Sequence, residues 1–239
     1  MSYNLWFIML PPSDLPPPSS HDAAPHLFGP GRRVLVGGAG TLGIALLVLA
    51  LSVLFAASLI GYLIFRSEFT APITVPLPPG LWLSTLILLV SSGTMHAAWR
   101  SVRAGQSRRL RGALQATLLL GTAFLLVQSV NWLVVYGALH HVDQALTAVA
   151  PTLSPVGGLR AADAPLVEQR VLLAMFYVFT ILHAIHVVGG LIPLAVVNVR
   201  AAQGVYSPNY YPGVRYCLIY WHFLDLVWLL IFLVLLATF

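Results

Sequence analysis

The sequence predicts an all-α membrane protein: a bundle of five transmembrane helices, N-terminus cytoplasmic and C-terminus periplasmic. Three observations predict it. First, the 239 residues are 59% hydrophobic and only 8% charged. Soluble domains carry about 25% charged residues, so this chain has too few to cover a water-facing surface. Second, the apolar residues gather into five runs, each reaching the roughly 20 residues a helix needs to cross a bilayer. Third, all 12 basic residues are Arg, and they sit between the runs with a strong bias to one side, as orientation signals do.

Residues 1–31, with Pro11, Pro12 and Pro16 to Pro18, read as an extended, surface-lying tail. The run Leu5 to Leu10 has no basic residue before it and is too short for a secretory signal. The transmembrane domain is expected over 32–239, with spans at about 34–65, 80–99, 112–138, 171–199 and 216–238. The first, third and fourth exceed a bilayer's thickness and must tilt or protrude. The 139–170 connection holds Asp143, Arg160, Asp163 and Glu168 among several Gly and Pro, and reads as a loop with room for a short surface helix. Arg32, Arg33, Arg100, Arg103, Arg108, Arg109, Arg111, Arg200 and Arg215 share one side; Arg66, Arg160 and Arg170 share the other. That bias sets the orientation. The lone Cys217 excludes an intrachain disulfide and a thiolate cluster. There is no internal repeat and no pair of broken helices, which argues against a duplicated transporter.

Two polar islands interrupt the last two spans. One is His183, His186, Gly189 and Gly190; the other is Tyr220, Trp221, His222, Asp225 and Trp228. Ionisable groups at bilayer depth are costly and rarely lack a role. Asp225 is the only acid inside a span, and His96 lies near the end of the second. His183 and His186 share a helix face, as do His222 and Asp225. If the two faces meet, four potential ligands converge, which would suit zinc, iron or copper. The alternatives are a hydrogen-bonded join between helices and an intramembrane proton relay. Gly189 and Gly190 suit close helix approach, and Pro193 a bend just beyond. Trp221 and Tyr220 suit interface anchoring or packing, and Trp228 packing. Ser91 to Thr94 forms a small-residue patch suited to helix packing. Gln128 and Asn131 share a face and are expected to bond to another helix. Arg100, Arg103, Arg108, Arg109 and Arg111 suit anionic lipid headgroups or a partner subunit.

The two islands, Leu182-His-Ala-Ile-His-Val-Val-Gly-Gly190 and Tyr220-Trp-His-Phe-Leu-Asp-Leu-Val-Trp228, resemble subunit III of the haem–copper terminal oxidases, the cytochrome c and quinol oxidases. Weaker support comes from Ser91 to Thr94, from Arg111 to Trp132 with Gly121 and Gln128, and from Leu42-Gly43 through Tyr62 and Arg66. Together these cover about residues 33–238. Five spans resemble the family's shorter bacterial form.

The resemblance implies a non-catalytic chain without haem or copper, those cofactors lying in partner subunits I and II. It implies a multi-pass protein of the bacterial cytoplasmic membrane that stabilises subunit I and holds phospholipid between its helices. It also implies a part in sustaining proton uptake by the catalytic subunit. His183, His186, Gly189, Gly190, Trp221, His222 and Asp225, with Gln128 and Asn131, become inter-helix fasteners, and metal at the His cluster recedes. Two departures stand out. Leu51 and Asn131 occupy positions where the family commonly has acids, which puts any role of those acids in doubt. The accessory subunit of a nitric oxide reductase is the near alternative. A stand-alone haem- or metal-binding membrane redox protein, or a channel, is the alternative of another class.

Overall fold

In a computed structural model the chain is all-helical over the residues described, 31–68, 77–149 and 164–238. The helices are α1 (Gly31–Ser67), α2 (Gly80–Arg103), α3 (Ser107–Val149), α4 (Ala164–Ala202) and α5 (Pro212–Thr238). All five are long and apolar enough to cross a membrane, and each expected span falls inside one of them. The chain divides into two units, 1–39 and 40–239. Of the first only the opening turns of α1 are described; the second holds the rest of α1 and the other four helices. The Pro-rich tail, Arg160 and Asp163 lie outside the described residues.

One expectation is corrected. The 139–170 connection is not a loop throughout: α3 continues to Val149 and α4 starts at Ala164. Polar residues such as His140, His141, Asp143 and Gln144 mark the exit from the apolar layer, not the end of the helix. No Gly or Pro stands between Ala138 and Ala150 to break it. At 43 residues, α3 is about 65 Å long, twice the roughly 30 Å hydrocarbon layer. Its extension is tied to that of α4 by Arg170 Nε, which donates to Asp143 Oδ1 at 2.6 Å.

Helices α2, α3, α4 and α5 close a ring, each packed on the next and α5 back on α2. Leu81, Met95, Leu114, Phe124, Phe176, Leu194, Trp221 and Trp228 fill its centre. The described part of α1 after Ala39 reaches the ring through long side chains. Phe55 lies edge-on to His183 and His186. Tyr62 lies edge-on to Phe179, and its hydroxyl pairs with Thr238 Oγ1 at 2.8 Å. Leu42, Leu46, Leu49, Val53, Ile60 and Ile64 point away from the ring, as lipid-facing residues do.

Two helix ends repeat one device. After α2, Gly105 (φ 70°) carries bonds from its own N–H to Val102 O and from Gln106 N–H to Ser101 O. After α4, Gly204 (φ 75°) does the same with Ala201 O and, through Val205 N–H, Arg200 O. Both are left-handed glycine caps that satisfy the last carbonyls. A Cβ on Gly105 would sit 3.5 Å from Pro208 Cγ, so the α2–α3 and α4–α5 turns meet at one end of the bundle. Arg100, Arg103, Arg108, Arg109, Arg111, Arg200 and Arg215 are all exposed around that end.

Candidate functional site

The two islands do not converge on one point. They form two separate centres, both organised by α5. Along α5, residues 221, 225 and 228 return to one face, and that face turns into the ring. Trp221 Nε1 donates to Ser91 Oγ at 3.1 Å, and Trp228 Nε1 donates to Thr85 Oγ1 at 3.0 Å. Between them, at the rim, Ser92 Oγ meets His222 Nδ1 at 2.7 Å. These joins run to α2, not α4. Each hydroxyl also donates onward, Thr85 to Leu81 O at 2.8 Å and Ser91 to Thr117 O at 3.4 Å. A hydroxyl can donate once and still accept, so two buried indole N–H groups are satisfied without a charge.

Asp225 is 6% exposed. Its Oδ2 lies 3.6 Å from His222 Nδ1, a distance of charge contact and not of a hydrogen bond. Neither carboxyl oxygen has a hydrogen-bond partner among the described residues. His222 faces outward to His96, ring centroids 6.1 Å apart, and His96 lies against Trp99 at 5.3 Å.

The second centre is His183, fully buried. Its ring is enclosed by Trp228 at 5.2 Å, Phe124 at 5.8 Å and Phe55 at 6.4 Å. Neither ring nitrogen has a hydrogen-bond partner among the described residues. His186 turns its Nδ1 back to Leu182 O at 2.7 Å. Among the described residues one polar bond joins the α4 island to α5: Tyr220 hydroxyl donates to His186 O at 3.2 Å. Close approach there depends on Gly190, where a Cβ would stand 2.9 Å from Tyr220 Cε1. Gly189 has no such constraint, with Tyr220 Oη 3.9 Å from its Cβ position.

Other predicted positions fall as follows. Asn131 Nδ2 donates to Gln128 Oε1 at 3.3 Å on the same helix, not to another helix; Asn131 also packs on Gly80, the first residue of α2. A Cβ on Gly121 would stand 2.8 Å from the Trp221 ring, so this glycine opens α3 to the indole. The Ser91–Thr94 patch is a strip of acceptors as well as a packing surface, with Thr94 and Thr117 hydroxyls 2.8 Å apart across α2 and α3. Leu51 is partly buried against the core. Arg103 lies over the Trp99 ring at 4.7 Å. Sequence reasoning missed Thr85, Thr117, Thr180 and Tyr177. Trp132 Nε1 donates to Thr180 Oγ1 at 2.9 Å, and Tyr177 hydroxyl to Trp132 O at 2.5 Å, joining α3 to α4. Thr85 and Thr180 lie 143 and 48 residues from the Trp each one pairs with, so no local spacing could have flagged them.

Among the described residues, no three or more His, Cys, Asp or Glu are grouped to hold a metal ion. The arrangement links four long helices through hydrogen bonds and ring contacts.

Comparison with known proteins points to one family. The family model described as cytochrome c oxidase subunit III matches residues 161–237, the stretch that holds both islands. The chain is 29% identical over 198 residues to cytochrome c oxidase subunit 3 of Synechocystis sp., covering 80% of this chain and 72% of that protein. The chain is similar to cytochrome c oxidase subunit III. Subunit 3 of Gallus gallus is 28% identical over 162 residues, 68% of this chain and 49% of that protein. Subunit 3 of Marchantia polymorpha is 27% identical over 152 residues, 63% of this chain and 46% of that protein. The chain thus spans about half the length of these last two subunits III.

Proposed function

We propose that this chain is the non-catalytic subunit III of a bacterial haem–copper oxidase in the cytoplasmic membrane. The supporting observation is that the subunit III match falls on α4 and α5, whose islands are built into packing and hydrogen bonds and gather no metal-ligand group among the described residues. The complex would take electrons from cytochrome c or a quinol, reduce dioxygen to water and translocate protons. Haem and copper belong to subunits I and II; this chain stabilises subunit I and holds phospholipid. Its transmembrane domain, 32–239, has the Arg-rich end in the cytoplasm, which places the N-terminus inside and the C-terminus in the periplasm. Arg100, Arg103, Arg108, Arg109 and Arg111 contact lipid headgroups there. His183, His186, Gly189, Gly190, Trp221, His222, Asp225, Gln128 and Asn131 act as structural fasteners.

The test is affinity purification of the chain from native membranes in mild detergent, with peptide mass spectrometry and a haem absorbance spectrum. Haem–copper subunits I and II co-purifying, with haem lost when they are stripped away, is the expected result. A complex without a haem–copper subunit, or haem retained by the isolated chain, overturns the proposal. The replacement of two family acids by Leu51 and Asn131 keeps one second reading, an accessory subunit of a nitric oxide reductase. Consumption of nitric oxide in place of dioxygen by the purified complex would select it.

A further inference from the structure

On α2, residues 82, 86, 89, 93, 96 and 100 recur at intervals of four and three and are all exposed, so they form one stripe along the outside of the ring. Most of the stripe is apolar, as lipid-facing surface should be. His96 is the exception. It lies one turn inside Arg100 and about 10 Å inside Arg103 at 1.5 Å per residue, and an imidazole is too short to reach far along the helix. Beside it stands His222 of α5, about 10 Å inside Arg215 by the same measure. Neither ring nitrogen of His96 has a hydrogen-bond partner among the described residues, and His222 uses only Nδ1, with Ser92. Behind them Asp225 and Ser92 hold the His222 ring in place. One turn along the stripe a Cβ on Gly93 would meet nothing within 4 Å, which leaves a notch that no described residue fills.

We infer that this seam of α2 and α5 docks a transmembrane helix of another protein, one that brings a carboxylic side chain to His96 and His222. The hydrogen-bonding capacity of two imidazoles at this depth calls for a polar partner, since lipid tails offer none. The notch at Gly93 admits a helix backbone. Charge complementarity selects an acid. Seven exposed Arg ring this end of the bundle, and the one acid near it among the described residues, Asp225, is buried. The inference relies on the proposed function only for the partner's identity.

The test is photo-crosslinking in native membranes from a benzoyl-phenylalanine at Leu89, on the same stripe, with Leu119 on the outside of α3 as a control site. The expected adduct from Leu89 is a transmembrane peptide of another protein with Asp or Glu within one turn of the level of His96. Gly93→Leu lowers its yield by filling the notch, and His96→Leu lowers it roughly three- to thirtyfold, the range set by one intramembrane hydrogen bond. His96→Gln restores it. Both positions face outward, so the unfolding midpoint of the free chain is unchanged in each variant. Adducts only with lipid, only with a second copy of this chain, or with a helix lacking an acid at that level overturn the inference, as do unchanged yields in both variants. An acid-bearing helix from a protein that is not a haem–copper subunit upholds the docking seam and overturns the proposed function.

Discussion

The bond from Trp228 to Thr85 offers the sharpest test of how the ring is held. Trp228 is fully buried and Thr85 nearly so, and the indole N–H has the Thr85 hydroxyl as its acceptor at 3.0 Å. Thr85→Val keeps the shape and removes the acceptor. The carbonyl of Leu81 loses a side-chain donor but keeps the helical N–H of Thr85, so one buried group, the indole N–H, is orphaned. Leaving a buried donor unpaired costs about 1–3 kcal/mol in water-soluble proteins. Hydrogen bonds between membrane helices average nearer 0.6 kcal/mol with a maximum of about 1.7, because the unfolded chain in the membrane also finds partners. The expected loss is therefore about 1 kcal/mol. Ser91→Ala removes the acceptor of Trp221 six residues along α2, about 9 Å away, far enough for the two losses to add to roughly 2 kcal/mol. The measurement is the unfolding free energy in mixed micelles, from SDS titration followed by circular dichroism. A double-mutant cycle with Trp228→Phe isolates the bond from the lost ring area. Ser58→Ala is the control: its hydroxyl is exposed on α1 and donates only to Leu54 O at 2.8 Å, so its change stays within about 0.5 kcal/mol. If Thr85→Val matches that control, or the cycle shows no coupling, the Trp228–Thr85 bond does not hold α5 to α2.

Further outcomes follow from the same geometry. Gly190→Leu drives side-chain atoms into the Tyr220 ring, which a Cβ alone would meet at 2.9 Å; overpacking of this kind costs about 1–3 kcal/mol, and Gly189→Leu, with no such contact, costs far less in the same titration. Asp143→Asn breaks an ion pair whose side chains are 42% and 58% exposed, and its stability change stays below about 1 kcal/mol and shrinks further in high salt. Asp225→Ala empties a buried site between α2 and α5 and removes the group facing His222, so it lowers the yield of assembled complex on blue native gels more than any single change in α1 to α3. Assembly equal to the unsubstituted chain would remove Asp225 from the list of fasteners.

The number and approximate extent of the helices were legible because bilayer thickness and hydropathy act on sequence directly, with little interference from tertiary contacts. The error lay at the exits. His140 to Gln144 read as loop because they are polar, whereas outside the apolar layer a helix needs no apolar residues, only freedom from Gly and Pro and a neighbour to lean on, here α4 through Arg170. Polarity marks where the membrane ends; backbone chemistry marks where the helix ends. The two glycine caps at Gly105 and Gly204 obey the second rule, and they sit where left-handed conformation is required.

The polar islands were legible in position but not in partnership, and the reason is physical. Depth in a bilayer is a one-dimensional property that a sequence carries openly, so a His or Asp in an apolar run stands out. Which neighbour that side chain meets depends on the rotation of its helix and the order of helices around the ring, and neither is written in any one segment. Trp221, Trp228 and His222 were conspicuous. Their partners were not legible as partners, Thr85 passing unremarked and Ser91 and Ser92 reading only as small packing residues, because a hydroxyl on a membrane helix can always bond to its own backbone, as Ser52 does with Val48 O and Ser58 with Leu54 O. A residue that is self-satisfied in isolation gives no signal of being needed elsewhere. For the same reason the islands invite a metal when read alone: four ligand-type residues at spacing i, i+3 look incomplete until their partners are known. Here His222 has its partner on α2, His183 is walled by aromatic rings, and Asp225 lies against His222 and Ser92. Trp221, Trp228 and His222 meet Ser91, Thr85 and Ser92, and His183 meets Phe55 and Phe124, residues that carry no signal of their own in the sequence.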